Sequence, residues 1–304
     1  MDRMAMKFIF FFYIGVLCLV FGACNPDEEG AGSGGRGSSL SENADTLRMF
    51  VVESDDAHVC YKLGDVLFSM VRVGAGSFDM GAQPMDSTKV NYDVNADSLT
   101  EAPVHRVSLS QYYMGATEVT RALWSAVMET EVVPANAQLP VTDVSYADVF
   151  VFLNRLNAAI VYSDSTMTEV VSSKRSFVLP TEAQWEFAAR GGSLSKGFLY
   201  AGSNAVGDVA WCSENASSAQ PVATKLPNEL GLYDMSGNVM EWCLDRYDSL
   251  SYSSAAQIDP VYMEGSFPIA RSGSFASPSD CCRNSSRKYF VSSYFSYIGF
   301  RLAY

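Results

Sequence analysis

The stretch that decides the fold is Asn228-Glu229-Leu230-Gly231-Leu232-Tyr233-Asp234-Met235-Ser236-Gly237-Asn238-Val239-Met240-Glu241-Trp242. It places apolar residues among Gly, Asn, Ser and Asp, the residue types that mark turns and loops. Similar loop-forming residues separate the other apolar runs of the chain. Little regular structure, many aromatic residues and long ordered loops together predict an irregular α+β domain.

Short helices and strands are predicted on either side of this stretch. Thr181 and Gln184 have the spacing of a capping box, and Ser145 precedes an apolar face with Asp148 in the first turn. These signals predict helices over residues 119–128, 145–160 and 181–190. Short β-type runs are predicted at residues 71–73 and 106–109.

The N-terminus has the pattern of a secretory signal. Arg3 and Lys7 precede an apolar run at residues 8–21, which is followed by Gly22-Ala23-Cys24. The run is short for a membrane-spanning helix, although a retained anchor is the alternative. The pattern predicts a signal peptide at residues 1–23, a flexible acidic and Gly/Ser-rich tether at 24–46, and one domain at 47–304.

The charge balance argues against a nucleic-acid partner. The chain carries 21 basic and 34 acidic residues, a net charge of −13. Removal of residues 1–23 takes away two basic residues and one acidic residue, which gives 19 − 33 = −14. A phosphate backbone would be repelled by this charge.

Several motifs lie in order along residues 70–304. They include Val73-Gly74-Ala75-Gly76-Ser77-Phe78-Asp79-Met80-Gly81, Leu179-Pro180-Thr181-Glu182-Ala183-Gln184-Trp185-Glu186, the stretch at 228–242, Gly273-Ser274-Phe275, Cys282-Arg283 and Gly299-Phe300-Arg301-Leu302. In this order they resemble the motifs of the formylglycine-generating-enzyme (sulfatase-modifying factor) family. The resemblance implies an irregular fold related to C-type lectins, with a small twisted sheet, few short helices and long ordered loops. Separately, the N-terminal stretch Leu19-Val20-Phe21-Gly22-Ala23-Cys24 resembles a lipobox ending at a lipidated Cys24, and the acidic residues behind it resemble the export signal of Bacteroidetes surface lipoproteins.

The resemblance further implies a calcium site. Hard cations prefer several oxygen ligands from carboxylates and main-chain carbonyls. The family positions correspond here to Asp234, Gly237, Val239 and Glu241. The alternative is a tight turn in which Asp and Asn cap backbone groups.

The family enzymes oxidise a substrate cysteine to formylglycine with copper(I) held by a Cys-x4-Cys pair. The Gly-Ser-aromatic motif at 273–275 places Ser277 at the first cysteine position and Cys282 at the second. A serine hydroxyl is a poor ligand for copper(I), and Cys281 is adjacent to Cys282, so copper is not expected. If the chain were active, Cys282 and Ser274 would be the catalytic residues. Otherwise Cys282 is a buried thiol or a disulfide partner, for which the family makes Cys243 one candidate.

The sequence argues against two other catalytic schemes, a three-histidine iron site and a pair of catalytic carboxylates. A three-histidine iron site, found in a related branch, cannot form within a chain that has only His58 and His105. Glu182, Glu186 and Arg190 are spaced by four residues on one helix. This spacing predicts a salt-bridged helix face rather than catalytic carboxylates.

The C-terminal residues 276–297 have the composition of a recognition surface, because 16 of the 22 are Ser, Tyr, Phe, Asn, Asp or Cys. They resemble diversified C-terminal regions of surface lipoproteins that end in a Gly-Phe-Arg-Leu segment. The alternative is an ordinary structured loop. The candidate contact residues are Ser277, Asp280, Asn284, Tyr289, Tyr294 and Tyr297.

These observations favour a non-catalytic lipoprotein of the outer membrane, exposed at the cell surface, that binds calcium and a protein or glycan through residues 273–297. A periplasm-facing orientation is the alternative location. The alternative functions are an oxidase that makes formylglycine in a sulfatase, and a scaffold lipoprotein of a secretion or gliding machine.

Overall fold

The computed structural model describes residues 47–163, 168–169, 176–248, 251–290 and 294–304. The predicted signal peptide, Cys24 and the tether lie outside these residues. The helices are α1 (Arg121–Met128), α2 (Tyr146–Asn157), α3 (Glu182–Ala189) and α4 (Val206–Val209). The first strands are β1 (Arg48–Ser54), β2 (His58–Leu63), β3 (Val66–Val73), β4 (Gly76–Met80), β5 (His105–Leu109), β6 (Tyr112–Gly115), β7 (Ile160–Ser163) and β8 (Thr168–Glu169). The later strands are β9 (Ala210–Trp211), β10 (Ser236–Gly237), β11 (Met240–Tyr247), β12 (Gln257–Ile258), β13 (Phe267–Arg271), β14 (Lys288–Tyr289) and β15 (Ile298–Gly299).

The three predicted helices are confirmed, and their first turns form as the sequence indicates. Helix α3 begins with the capping box of Thr181 and Gln184. Helix α2 begins with a capping box in which Ser145 and Asp148 bond each other's backbone N–H groups. Helix α2 ends before the predicted limit, because the chain from residue 160 pairs instead in parallel with strand β1. Pairing with a distant strand here outweighs the helical pattern.

Four small sheets replace the single small sheet that was expected. A six-stranded sheet has the order β6-β3-β2-β1-β7-β8, and a four-stranded sheet has the order β14-β13-β11-β15. A three-stranded sheet, β12-β5-β4, and the pair β10-β9 complete the set within the described ranges. The fold is the irregular α+β arrangement predicted from the sequence, with long ordered loops between short elements.

The last residues of the chain join the two larger sheets. Strand β15 pairs in parallel with β11. Gly115 at the end of β6 donates its N–H to the Leu302 carbonyl at 2.8 Å. Val178 and Ala303 exchange two backbone hydrogen bonds, both 2.8 Å long. Residues 298–303 are buried inside the fold.

The apolar core has two large parts and one small part. One large part packs α1 and α2 against the six-stranded sheet, with Phe152 and Phe300 at its centre. The other packs α3 against β3, β4 and β5. The small part contains Tyr200, Val209, Ala210, Cys212 and Cys282. This third cluster brings two cysteines together that are far apart in sequence.

In the part of the chain that the structure describes, no helix has the length and apolar character needed to cross a membrane.

Candidate functional site

The stretch at residues 228–242 begins beside the C-terminal end of α3 and leads through turns into β11. Asn228 fixes its start, because its Nδ2 donates to the Ala188 carbonyl at 2.7 Å. Gly237 has a φ of +80°, and a Cβ there would lie 2.3 Å from the Trp211 carbonyl oxygen. Only glycine fits this close approach.

Three buried carboxylates meet beneath this turn. Glu241 accepts hydrogen bonds from Nε and Nη2 of Arg301, both at 2.6 Å, and from Trp185 Nε1 at 2.7 Å. Glu118 and Asp234 lie close enough for each to affect the ionisation of the other. Each of these two keeps one buried carboxylate oxygen without a hydrogen-bond partner. Three acids thus face one guanidinium group, which leaves negative charge uncompensated when all three are ionised.

Burial opposes ionisation of two of these acids. Burial raises the pKa of Asp234 to about 6, and the Glu241 charge acts in the same direction. Burial, followed by the Asp234 and Glu241 charges, raises the pKa of Glu118 well above its usual range. The pair Glu118–Asp234 therefore requires either a proton or a cation.

The calcium ligands implied by the resemblance are Asp234, Gly237, Val239 and Glu241. The Glu241 carboxylate is already bound by Arg301 and Trp185. The Gly237 carbonyl accepts a hydrogen bond from Ser272 Oγ at 3.0 Å. Among the described residues, no three or more His, Cys, Asp or Glu side chains are grouped to hold a metal ion. The described contacts thus leave Asp234 as the available carboxylate of the expected set.

Two buried carboxylate oxygens in this region have no hydrogen-bond partner. The unpartnered oxygens are Oδ1 of Asp234 and Oε2 of Glu118. Carboxylate oxygens are the ligands that calcium prefers. The sequence does not predict Glu118 as a partner of Asp234, because Glu118 lies in a separate motif more than a hundred residues earlier in the chain.

The acidic residues of α3 take part in a buried ionic network. Arg190 pairs with Glu186 at 2.8 Å, one turn apart, as the spacing predicts. Glu186 is also bound by Arg271, which lies 3.4 Å from Glu182. Because Glu182 and Glu186 are buried, this face is part of the core rather than a solvated helix face.

Two further arginines anchor the C-terminal segment to distant acids. Arg283 Nη2 lies 2.7 Å from Glu101 Oε1, and its Nη1 lies 2.7 Å from Asp93. Arg287 Nε donates to Glu182 at 2.7 Å. These pairs hold residues 282–287 inside the fold. No local pattern in the sequence predicts them, because their partners lie far away in the chain.

The candidate copper position holds two serines and one buried thiol. Ser277 Oγ lies 2.9 Å from Ser274 Oγ and accepts from the Ser274 N–H at 3.1 Å. Cys282 is fully buried. The suggested pairing of Cys282 with Cys243 is wrong, because Cys243 lies in a different part of the core. Within the described ranges the free cysteines are Cys60, Cys212, Cys243, Cys281 and Cys282.

A second thiol lies near this position, on the residue that follows strand β9. Cys212 belongs to the same small cluster as Cys282. Its neighbour Ser213 donates its N–H to the Ser277 carbonyl at 2.9 Å. Burial raises the pKa of Cys282, and the neighbouring Cys212 adds to this effect. Burial also raises the pKa of Cys212, to about 11, so both groups are neutral thiols at pH 7.

The six candidate contact residues do not share one surface. Asn284 is buried, and its Nδ2 donates to the Phe198 carbonyl at 3.0 Å, which removes it from any exposed surface. Tyr289 and Tyr294 are 43% and 62% exposed. The remaining three are exposed or half-buried: Ser277, Asp280 and Tyr297.

The two histidines have separate structural positions. His105 is buried against the Tyr252 ring, with 4.7 Å between ring centroids, and its Nδ1 lies 3.0 Å from the Pro103 carbonyl. His58 lies 3.6 Å from Asp55 near the surface. They share no site.

The comparisons with known proteins identify the family. The family model of the sulfatase-modifying factor enzyme 1-like domain matches residues 65–304. The chain is 26% identical over 262 residues to a formylglycine-generating enzyme of Streptomyces coelicolor, covering 70% of this chain and 80% of that protein. It is 32% identical over 178 residues to the chaperone protein LppX of Paenibacillus barcinonensis, covering 45% of this chain and 63% of that protein.

A solved structure shares the fold over most of the chain. Treponema denticola variable protein 1 has a TM-score of 0.65 and 30% sequence identity, and the match covers 82% of this chain and 99% of that one. The motifs, the fold and the family match over residues 65–304 lead to one conclusion. The chain belongs to the family of the sulfatase-modifying factor enzyme 1-like domain, which includes formylglycine-generating enzymes.

Proposed function

We propose that this protein is a non-catalytic member of its family, a surface-anchored domain that binds a partner through its C-terminal segment. The observation that carries the proposal is the hydrogen-bonded pair Ser274–Ser277. It occupies the turn from which the resemblance expects a copper-binding thiolate. A neutral hydroxyl that already exchanges hydrogen bonds is a poor ligand for a soft monovalent metal.

An oxidation assay tests the absence of catalysis. The full chain is incubated with copper(I), oxygen and a Cys-x-Pro-x-Arg peptide, and the aldehyde is sought by its mass change. The unchanged peptide is the expected result. The Ser277→Cys variant restores the Cys-x4-Cys spacing and is the matched comparison. Aldehyde formation by the wild-type chain above the rate without protein would overturn the proposal.

The binding part of the proposal is supported by exposure and by the relatives. Tyr289 and Tyr294 present aromatic rings to solvent within the C-terminal segment. Tyrosine supplies rigid contact area at a low cost in conformational entropy. One relative is a chaperone, and a structural neighbour is a variable protein, and both names suit a domain that contacts other molecules. Lipidation at Cys24 would anchor this domain to the outer membrane.

Calcium is part of the same proposal. Asp234 and Glu118 would hold it through their unpartnered oxygens. Bound there, a divalent cation would supply the positive charge that Arg301 alone does not. Its role would be structural, because it would hold the turn at residues 234–241 against the segment between β6 and α1, which carries Glu118.

One observation favours the oxidase as the second candidate function. Cys212 lies in the same buried cluster as Cys282, so a second soft ligand is available near Ser277. The assay above distinguishes the two functions. If the wild-type chain forms aldehyde and Cys212→Ser abolishes it while Cys243→Ser does not, the oxidase takes the place of the binding domain.

A further inference from the structure

An open groove lies at the end of the four-stranded sheet, beside strand β14. Its volume is 360 Å³. We call it the aromatic groove and define it by its lining side chains and the backbone at residues 265–266: Tyr247, Asp248, Glu264, Phe267 and Tyr289. Of the six candidate contact residues, Tyr289 lines it.

Three near-parallel rings form one wall of the aromatic groove. Tyr289 stacks on Tyr247 with 4.1 Å between centroids and on Phe267 with 5.9 Å. The strand register explains the stack, because Tyr247 and Phe267 are paired across β11 and β13, and Tyr289 is on the neighbouring strand β14. A wall of this kind is fixed before any ligand arrives, which lowers the entropic cost of binding.

The opposite wall is brought close by a glycine. A Cβ at Gly265 would lie 2.4 Å from the Tyr247 carbonyl oxygen, so the chain can pass there only without a side chain. This approach places the exposed Glu264 near the rings. Glu264 and Asp248 are the charged residues that line the aromatic groove, and both are acidic.

The nearest basic side chains have other contacts. Lys288 precedes Tyr289 on β14, so strand alternation places its side chain on the opposite face. The Arg246 guanidinium lies over the Tyr146 ring at 5.7 Å, and its Nη1 donates to the Ser266 carbonyl in the groove backbone at 3.5 Å. Arg287 is buried with its guanidinium 5.3 Å from the Tyr247 ring and paired with Glu182. The Tyr247 ring thus already interacts with one cation on the inner side of the stack.

We infer that the aromatic groove binds a basic side chain of a partner polypeptide, with the cation against the Tyr289 ring and near the Glu264 carboxylate. Cations are attracted to the faces of aromatic rings, and a nearby carboxylate adds a charge-assisted hydrogen bond. The net charge of −13 favours the approach of such a partner. This inference rests on the proposed function, because it names the chemistry recognised by the C-terminal segment.

The test uses a fluorescein-labelled (Gly-Arg)₄ peptide and a matched (Gly-citrulline)₄ peptide, which keeps the shape and lacks the charge. Binding to the purified full chain is measured by fluorescence anisotropy at low and physiological salt. We expect the arginine peptide to bind roughly tenfold more tightly than the citrulline peptide, and salt to weaken its binding. Equal binding of the two peptides would overturn the inference.

Matched variants place the binding on the molecule. Tyr289→Ala is expected to weaken binding of the arginine peptide roughly tenfold, and Tyr294→Ala, which removes an exposed ring outside the aromatic groove, less than about twofold. Glu264→Gln is compared with Glu131→Gln, since both remove one exposed charge. If the two tyrosine variants, or the two glutamate variants, weakened peptide binding equally, the peptide would be attracted to the acidic protein in general. That result would contradict binding in the aromatic groove.

The outcome is separable from that of the proposed function. If the arginine peptide does not bind and no aldehyde forms, the aromatic groove is rejected as a binding site. The proposal of a non-catalytic binding domain then remains. Aldehyde formation rejects the non-catalytic function, whatever the peptides do. Competition of the arginine peptide by a neutral oligosaccharide at similar concentration would replace the basic side chain with a glycan as the occupant.

Discussion

Residues 282–287 and residues 288–297 are neighbours in the chain and are both rich in serine, yet they differ in burial. The first group is buried throughout, with Arg283 and Arg287 paired to acids from distant loops and from α3. The described residues of the second group include exposed tyrosines. Serine content therefore does not distinguish an anchored segment from a recognition surface. The presence of arginines with buried acidic partners does distinguish them.

The largest expected effect comes from breaking the anchored group. Arg283→Met would leave the carboxylates of Glu101 and Asp93 without their shared cation in a buried place. Removal of one partner of a buried ion pair costs roughly 3–5 kcal/mol. We expect the free energy of unfolding, measured by urea titration, to fall by that amount.

The control for this prediction is Arg106→Met, which breaks the exposed pair with Asp79 at 3.2 Å. Exposed pairs contribute less than about 1 kcal/mol. If both variants lost the same stability, the anchored group would not be held by its ion pairs.

The second prediction extends the comparison to acids that have no arginine of their own. The pKa of Asp234 is raised to about 6 from an ordinary value of 3.8, so its contribution to stability is present at low pH and is lost as pH rises through about 6. Without divalent ions, we expect the free energy of unfolding to decrease by roughly 2 kcal/mol between pH 4 and pH 7 for this group. Asp234→Asn should remove this part of the slope.

Calcium should offset the loss of stability that ionisation of Asp234 causes as pH rises. At pH 7.5, where Asp234 is ionised, calcium is expected to raise the Tm of the wild-type chain, and at pH 5 it should have less effect. Asp245, whose pKa is raised to about 7 by burial, contributes a similar slope, so the wild-type curve is compared with that of Asp234→Asn rather than read alone. A calcium response that persists in Asp234→Asn would place the cation elsewhere.

The third prediction concerns the two adjacent cysteines at the edge of the anchored group. Cys282 is fully buried, whereas Cys281 is half-buried, and burial raises the pKa of both thiols. We expect iodoacetamide at pH 8 to label Cys281 roughly tenfold faster than Cys282, because alkylation requires an accessible thiolate. Fragment-ion mass spectrometry distinguishes the two positions. Faster labelling of Cys282 would show that this part of the fold opens.

The smallest effects are expected in the exposed group. Tyr289→Ala should cost about 1 kcal/mol, since its ring stacks on Tyr247. Tyr294→Ala should change the free energy of unfolding by less than about 0.5 kcal/mol, because its side chain is mostly in solvent. A large loss for Tyr294→Ala would place this residue with the anchored group.

The sequence predicts the local features of this fold better than its long-range pairs. The capping boxes at Thr181 and Ser145 act within one helical turn, so the residues that form them are visible together in the sequence. The ordered motifs likewise predict the family and the irregular α+β fold. Helix α2 ends early, by contrast, because a distant strand pairs with the residues that follow it.

The candidate site shows the same limit. Asp234 and Ser277 could be selected from motifs, but Glu118 and Cys212 reach them from separate parts of the chain. Asn284 has the composition of a contact residue and is buried, because the arginines on either side of it are held by acids about a hundred or more residues away. Such contacts depend on topology, which no local pattern of residues specifies.

The inward position of the final residues has a consequence for the order in which the protein folds. Arg301 supplies the bidentate partner of Glu241 and donates to the Gly115 carbonyl, 186 residues earlier in the sequence. Until Arg301 and Leu302 are available, Glu241 lacks its cation, and Gly115 at the end of β6 lacks the carbonyl that accepts its N–H. Contacts of such large sequence separation carry a high loop-closure cost and slow folding. Because synthesis runs from the N-terminus, these contacts close only after every strand that they connect has been made.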